Sequence, residues 1–323
     1  MTTARADGPE PGENEELLVE RTDDAPRRSR GELRTDLVAT SVELVIATVL
    51  TSAVFLLLYQ RIEADTSDTT LVMPFMNDAA MHWPYWLSQA FGWTALLWSW
   101  VTVMLGLAVS GRSPDWLTIS PARMERLHRS TSLTTIVLIF AHALVLSWDP
   151  ADPNLAGSFI PWMYSHPPGR FGVALGVIAF WLAIPLGLSF YLRRRIGPRT
   201  WRIAHRFVIV VYILGVWHTL LWGTNVWFDG WVRWLLWALQ IPVAVLLVAR
   251  LLAPARRGER LPLRLSELRQ RWSGGTLARL GGRLVAVLAA VALVVVVVTG
   301  SIGGRDREDY DRTPAETGHE HEH

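Results

Sequence analysis

"RLHRSTSLTTIVLIFAHALVLS", residues 126–147, is apolar over a length that suits a membrane crossing, yet it carries His128 near its start and His142 deep inside. A spanning helix needs roughly 20 predominantly apolar residues. An ionisable side chain within such a segment is expensive and marks a functional hypothesis by default. The two imidazoles lie fourteen residues apart. The rest of the chain decides whether they act together.

The surrounding composition fits a membrane protein. Of 323 residues, 50% are hydrophobic and 17 are Trp. Seven apolar segments recur, at about 37–59, 87–110, 127–148, 171–192, 203–222, 231–252 and 284–302, each near spanning length. The expected fold class is therefore all-α, a polytopic membrane helical bundle lying in a lipid bilayer. There is no Cys, which excludes disulfides, thiolate-ligated zinc, Fe–S clusters and covalently attached c-type haem. Every basic side chain that is not His is Arg, and nothing points to nucleic acid.

The connections sort by charge. Loops 111–127, 193–202 with adjoining Arg206, and 250–283 carry three, six and nine Arg, whereas loops 60–86, 149–170 and 223–233 carry one each. Positive-inside bias then predicts a multi-pass protein of the cell membrane with a cytoplasmic N-terminus and an extracytoplasmic C-terminus. Trp83, Tyr85, Trp86, Trp148, Trp162, Trp222 and Trp227 crowd the proposed outer boundary, where amphipathic rings settle.

Residues 1–36 are polar, lack the pattern of a secretory signal and are expected to form a disordered cytoplasmic tail. Residues 37–252 form the main membrane domain. Residues 253–283, with "RLPLRLSELRQRW", suit a basic amphipathic helix on the cytoplasmic surface, held by anionic lipid or by an acidic soluble partner. Residues 284–303 are expected to be a seventh transmembrane helix. Residues 304–323 form a polar extracytoplasmic tail ending in His319, His321 and His323, a weak metal-binding pattern. Within the main domain, Gly172 and Gly176 form a small-xxx-small pair suited to close packing, and Pro185 can kink its helix. Glu43 sits in the first span, facing either a polar partner or headgroup water.

Two histidine pairs stand out: His128-x13-His142 on the third segment and His205-x12-His218 on the fifth. Both segments run in the same direction, so His128 and His205 share one level and His142 and His218 another. At about 1.5 Å per residue the levels lie about 20 Å apart. Two imidazoles without thiolate or carboxylate are a poor zinc or di-iron set. They suit haem, whose porphyrin supplies the other four donors. Without Cys, that haem is non-covalent and b-type. With both axial positions filled, electron transfer is favoured over oxygen binding at iron. Fourteen residues return His142 to within about 40° of His128, but thirteen leave His218 about 140° from His205 on a regular helix. A π-bulge in the fifth segment is the expected remedy. Arg129 and Arg206 follow the two inner histidines and Arg202 precedes His205 by a turn. They are candidate partners for haem propionates, or simple positive-inside anchors.

These pairs, together with "RRRIGPRTWRIAHRFVIVVYILGVWH" at 193–218, resemble the ferric reductase-like transmembrane family, which includes NADPH oxidases and ferric reductases. The resemblance covers roughly residues 37–252, a six-helix core to which the seventh helix is added. It implies two stacked b haems, ligated by His128 with His205 and by His142 with His218, and electron flow from the cytoplasm outward. The chain departs from the family's oxidases in having no FAD or NADPH site: no G-x-G-x-x-G follows a strand. The resemblance then implies an oxidoreductase haem subunit fed by a separate flavin reductase or a quinol. The acceptor side is open: ferric or cupric ion, oxygen or a redox partner protein. His82 and His166 lie on the outer loops and either flank an acceptor site or are ordinary loop histidines. Two other classes remain: a haem-free transporter with a histidine proton or ion relay, and a non-catalytic anchor subunit.

Overall fold

The structure is a computed structural model and describes residues 11–110, 120–252, 287–288, 291–292 and 294–299. Its helices are α1 (Pro11–Glu63), α2 (Asp68–Val72), α3 (Trp83–Ser110), α4 (Pro121–Leu146), α5 (Leu155–Phe159), α6 (Arg170–Ile196), α7 (Pro198–His205), α8 (Val208–Trp222) and α9 (Trp231–Leu252). Short 3₁₀ turns lie at Pro74–Asn77, Pro167–Gly169 and Thr224–Val226. Among the described residues six helical stretches are long and apolar enough to cross a membrane: Arg34–Glu63, Trp83–Ser110, Ala122–Leu146, Pro167–Ile196, Thr200–Trp222 and Trp231–Arg250. The expected all-α polytopic bundle is the observed architecture.

The most extensive packing joins α3 to α4 and α6 to α8, while α1 lies across α3 and α4 and α9 lies against α3. Val103 of α3, Tyr212 and Val216 of α8, and Leu236 and Val243 of α9 form one buried core. Exposed apolar side chains fill the opposite faces, such as Val42, Val45 and Val49 of α1 and Trp234, Ile241 and Val245 of α9. In water such faces would be a liability. In lipid they are the solvent-matched surface, and helices satisfy their own backbone there.

The bundle has an arginine-rich end and a tryptophan-rich end. At the arginine-rich end α6 hands over to α7 through one residue, Gly197, at φ 86° and ψ 139°. Glycine has no Cβ to forbid that conformation, and Pro198 then starts α7 with its φ already set. At the same end Arg129 of α4 holds Asp36 of α1 through two hydrogen bonds of 2.8 and 3.2 Å, and Tyr191 of α6 donates to the same carboxylate at 3.0 Å. Deeper in the span, Glu43 accepts from Ser130 and Thr134 of α4. A polar partner, not headgroup water, is thus the answer for Glu43. These contacts pin α1 to the face of α4 opposite its histidines.

Three expectations are corrected or bounded. Helix α1 runs Pro11–Glu63 and so takes in residues 11–36 of the segment expected to be a disordered tail. Glu, Leu and Arg are good helix formers, and extending an existing helix avoids the cost of nucleation. In the region of the expected seventh helix, residues 287–288, 291–292 and 294–299 are helical, and Val296 is buried in the main core. The remainder of 284–303, all of 253–283 and the tail 304–323 lie outside the described residues.

Candidate functional site

The structure brings the four membrane histidines together in the expected pairs. The rings of His128 and His205 have centroids 5.8 Å apart and planes at 88°. Those of His142 and His218 are 6.3 Å apart with planes at 73°. The pairs lie at two levels of the bundle, set about 21 Å apart by the fourteen residues of α4.

The thirteen-residue spacing is accommodated by a break, not by a π-bulge. Arg206 and Phe207 separate α7 from α8. Around them the backbone bonds i to i−3: Arg206 to Ile203, Phe207 to Ala204, Ile209 to Arg206 and Val210 to Phe207. A 3₁₀ turn winds about 120° per residue against about 100° for an α-helix. Four tightened steps add about 80°, which moves His218 most of the way round to the face of His205. A π-bulge unwinds the helix and has the wrong sign.

Three of the rings are held by backbone carbonyls on a neighbouring helix. The Nδ1 of His128 donates to the Thr102 carbonyl at 2.9 Å. That of His142 donates to the Ser88 carbonyl at 2.8 Å, and that of His218 to Gly172 at 2.8 Å. A carbonyl only accepts, so each Nδ1 carries the hydrogen and each Nε2 keeps its lone pair. This is the arrangement in which imidazole binds a metal. His205 differs: its buried Nδ1 makes no well-formed hydrogen bond, its backbone interaction being a weaker one with Leu186, and its ring is stacked on Trp201 at 5.2 Å and 23°. The indole Nε1 of Trp201 is likewise buried and unbonded.

Glycines make these approaches possible. A Cβ on Gly106 would lie 2.9 Å from His128, one on Gly92 would lie 3.1 Å from His142, and one on Gly176 would lie 3.0 Å from His218. Each glycine sits four residues after the carbonyl that its histidine uses. The missing Cβ opens a notch through which the imidazole reaches a carbonyl already engaged in its helix. Gly172 and Gly176, expected as a close-packing pair, do face α8, against Trp222 and His218. Sequence reading missed the carbonyls and the α3 notches. The available signal was that Gly92 and Gly106 repeat the fourteen-residue spacing of His128 and His142.

Among the arginines, Arg129 is occupied by Asp36 and, at 3.0 Å, by Glu125. Its guanidinium also lies 4.8 Å from the Phe190 ring centre. Arg202 lies on α7 beside Trp201, and Arg206 sits at the break itself. Among the described residues no group of three or more His, Asp or Glu side chains is placed to hold a metal ion. Each imidazole pair therefore offers two donors, and a metal bound there needs a ligand that brings the others.

At the tryptophan-rich end, His82 is buried against Asp149 at 3.3 Å, and the more exposed His166 pairs with Asp152 at 3.7 Å. A cavity of about 310 Å³ opens there, and His166, Asp149 and Asp152 line it. Burial pushes the Tyr164 phenol on its wall above the ordinary tyrosine range, and Asp152 and Asp149 push in the same direction.

Comparison with known proteins bears on one part of the chain. Residues 91–216, from within α3 to near the end of α8, match the family described as ferric reductase like transmembrane component. The matched segment contains His128, His142 and His205 and stops two residues short of His218. No curated protein and no solved structure matches the chain.

Proposed function

We propose, with the ferric reductase like component of residues 91–216 as premise, that this chain is a transmembrane electron conduit built on two bis-histidine b haems. Bound haem would supply one-electron iron chemistry, and His128 with His205 and His142 with His218 would hold it at two levels. One observation carries the reading: the ring separations of 5.8 and 6.3 Å. Metal–nitrogen bonds of about 2 Å on each side, plus about 1.1 Å from each nitrogen to its ring centre, require about 6 Å.

The carbonyls of Thr102, Ser88 and Gly172 fix the tautomer of His128, His142 and His218 and aim Nε2 into the gap. Arg202, with the unbonded Trp201 indole beside it, suits a propionate at the arginine-rich level. Arg206 belongs to the same set by position. Arg129, already neutralised by Asp36, serves first to fix α4 against α1. With two imidazoles on each iron, no open position would remain for substrate, which would favour electron transfer over oxygen binding.

The arginine-rich end faces the cytoplasm, where a separate flavin reductase or a quinol donates. The tryptophan-rich end faces outward, where a ferric or cupric ion, oxygen or a redox partner protein accepts. The test is the visible spectrum of the purified chain. Sharp reduced b-type bands and two haems per chain are expected, with about one lost in His142→Ala. A folded colourless protein overturns the proposal.

A further inference from the structure

The cavity at the tryptophan-rich end lies one helical turn beyond the His142–His218 pair. Leu146 and Trp222, each four residues after one of those histidines, form part of its wall. Its volume of about 310 Å³ falls within the range of small-molecule sites. Phe75, Tyr85, Tyr164, Trp222 and Trp227 present aromatic surface to it, and Met73 and Met76 add thioethers. Such a lining holds a planar apolar ring through stacking and sulfur contacts.

The polar groups narrow the occupant further. The carboxylates of Asp149 and Asp152 both reach the cavity, which disfavours an anionic chelate. Tyr85 and Thr224 supply hydroxyls from one side of the chain, and Tyr164 supplies another from the loop after α5. Burial keeps the Tyr164 phenol protonated, hence a hydrogen-bond donor. One carboxylate oxygen of Asp152 is buried without a hydrogen bond, while its ion-pair partner His166 is largely exposed. That pair spans from bulk water to the cavity wall.

We infer that this cavity binds a quinone ring, which serves as the electron acceptor of the conduit. The inference rests on the conduit proposed above and names its acceptor class. The step balances as quinone plus two electrons plus two protons giving hydroquinone. Both carbonyl oxygens become hydroxyls. The reductant is a reduced flavin at the other end, which becomes oxidised, and its electrons would arrive singly by way of the His142–His218 level. The protons enter from water by way of His166 and Asp152.

The experiment uses the full haem-loaded chain in lipid nanodiscs with duroquinone as probe. Binding is measured by calorimetry. Reoxidation of the reduced haems is followed after mixing with duroquinone or, as a control, ferricyanide. Ala151→Trp fills the cavity from an exposed loop position, and Tyr164→Leu removes an aromatic wall by a different route. Wild type is expected to bind duroquinone and reduce it. Both variants should bind at least tenfold more weakly and reduce it correspondingly slowly, while keeping wild-type haem content and ferricyanide reoxidation. A chain that holds two haems and reacts with ferricyanide but neither binds nor reduces duroquinone overturns the inference and leaves the conduit standing. Unchanged duroquinone binding in both variants also overturns it. A chain that binds no haem overturns the conduit, and with it the acceptor role.

Discussion

Gly106→Ala adds one methyl group where the structure has no room for it. The new Cβ would lie 2.9 Å from Cε1 and 3.3 Å from Nδ1 of His128. Ordinary contact begins at 3.4 Å, so the ring must retreat by about 0.5 Å along that direction. The same retreat stretches the 2.9 Å bond from Nδ1 to the Thr102 carbonyl beyond useful length. Losing that bond costs about 0.5–1.5 kcal/mol, and overpacking adds about 1–3 kcal/mol. A combined cost of about 2 kcal/mol or more corresponds to at least about 30-fold weaker haem binding, in line with other losses of support behind a metal-bound histidine. The assay is haemin titration of the haem-free full chain in a His142→Ala background, where only the His128–His205 centre remains. The companion substitutions Gly92→Ala and Gly176→Ala, titrated in a His128→Ala background where only the His142–His218 centre remains, should weaken that centre, and in the His142→Ala background they should spare this one. Wild-type affinity of the His128–His205 centre in Gly106→Ala would refute the reasoning.

Other expectations follow from the same contacts. Asp36→Ala leaves Arg129 with only the exposed Glu125 as an ionic partner and removes the acceptor of the Tyr191 hydroxyl. Removing one partner of a fully buried pair costs about 3–5 kcal/mol, and Glu125 offsets part of that, so thermal melting in detergent should still drop, whereas Tyr191→Phe should cost about 1 kcal/mol; equal melting of Asp36→Ala and wild type would contradict this. The Tyr164 pKa is raised, so its contribution to stability is complete below the unfolded value near pH 10 and is lost as pH climbs through the folded value. Melting curves of wild type and Tyr164→Phe between about pH 8 and about pH 11 should therefore diverge at the alkaline end, and parallel curves would count against the buried placement. In the proposed haem centres, imidazole planes at 88° and 73° would leave two iron d orbitals nearly equal in energy. Frozen oxidised protein should give strongly anisotropic low-spin resonances, and the signals of parallel ligands would show that the rings reorient.

Much of this was legible in the sequence because it depends on periodicity and cost. Apolar segments of spanning length admit one kind of fold in lipid, and a histidine such as His142 in the middle of one demands a reason. What stayed hidden depends on contacts between distant segments. Asp36 and Arg129 stand 93 residues apart, and nothing local shows that they meet. The carbonyls of Ser88, Thr102 and Gly172 are backbone atoms, so side-chain identity cannot reveal them. Gly106 reads as a packing residue until His128 is seen in its notch. The break at Arg206–Phe207 carries no Pro or Gly to announce it. The mismatch of thirteen residues with the helical turn pointed to an irregularity, but not to the direction of winding.

The most direct test of the central claim is a haem count paired with a visible spectrum on the purified full chain. The proposed conduit requires two b-type haems per chain with bis-histidine reduced bands, falling to one in His142→Ala. A folded chain with none, or one that keeps both haems after loss of His142, would contradict it.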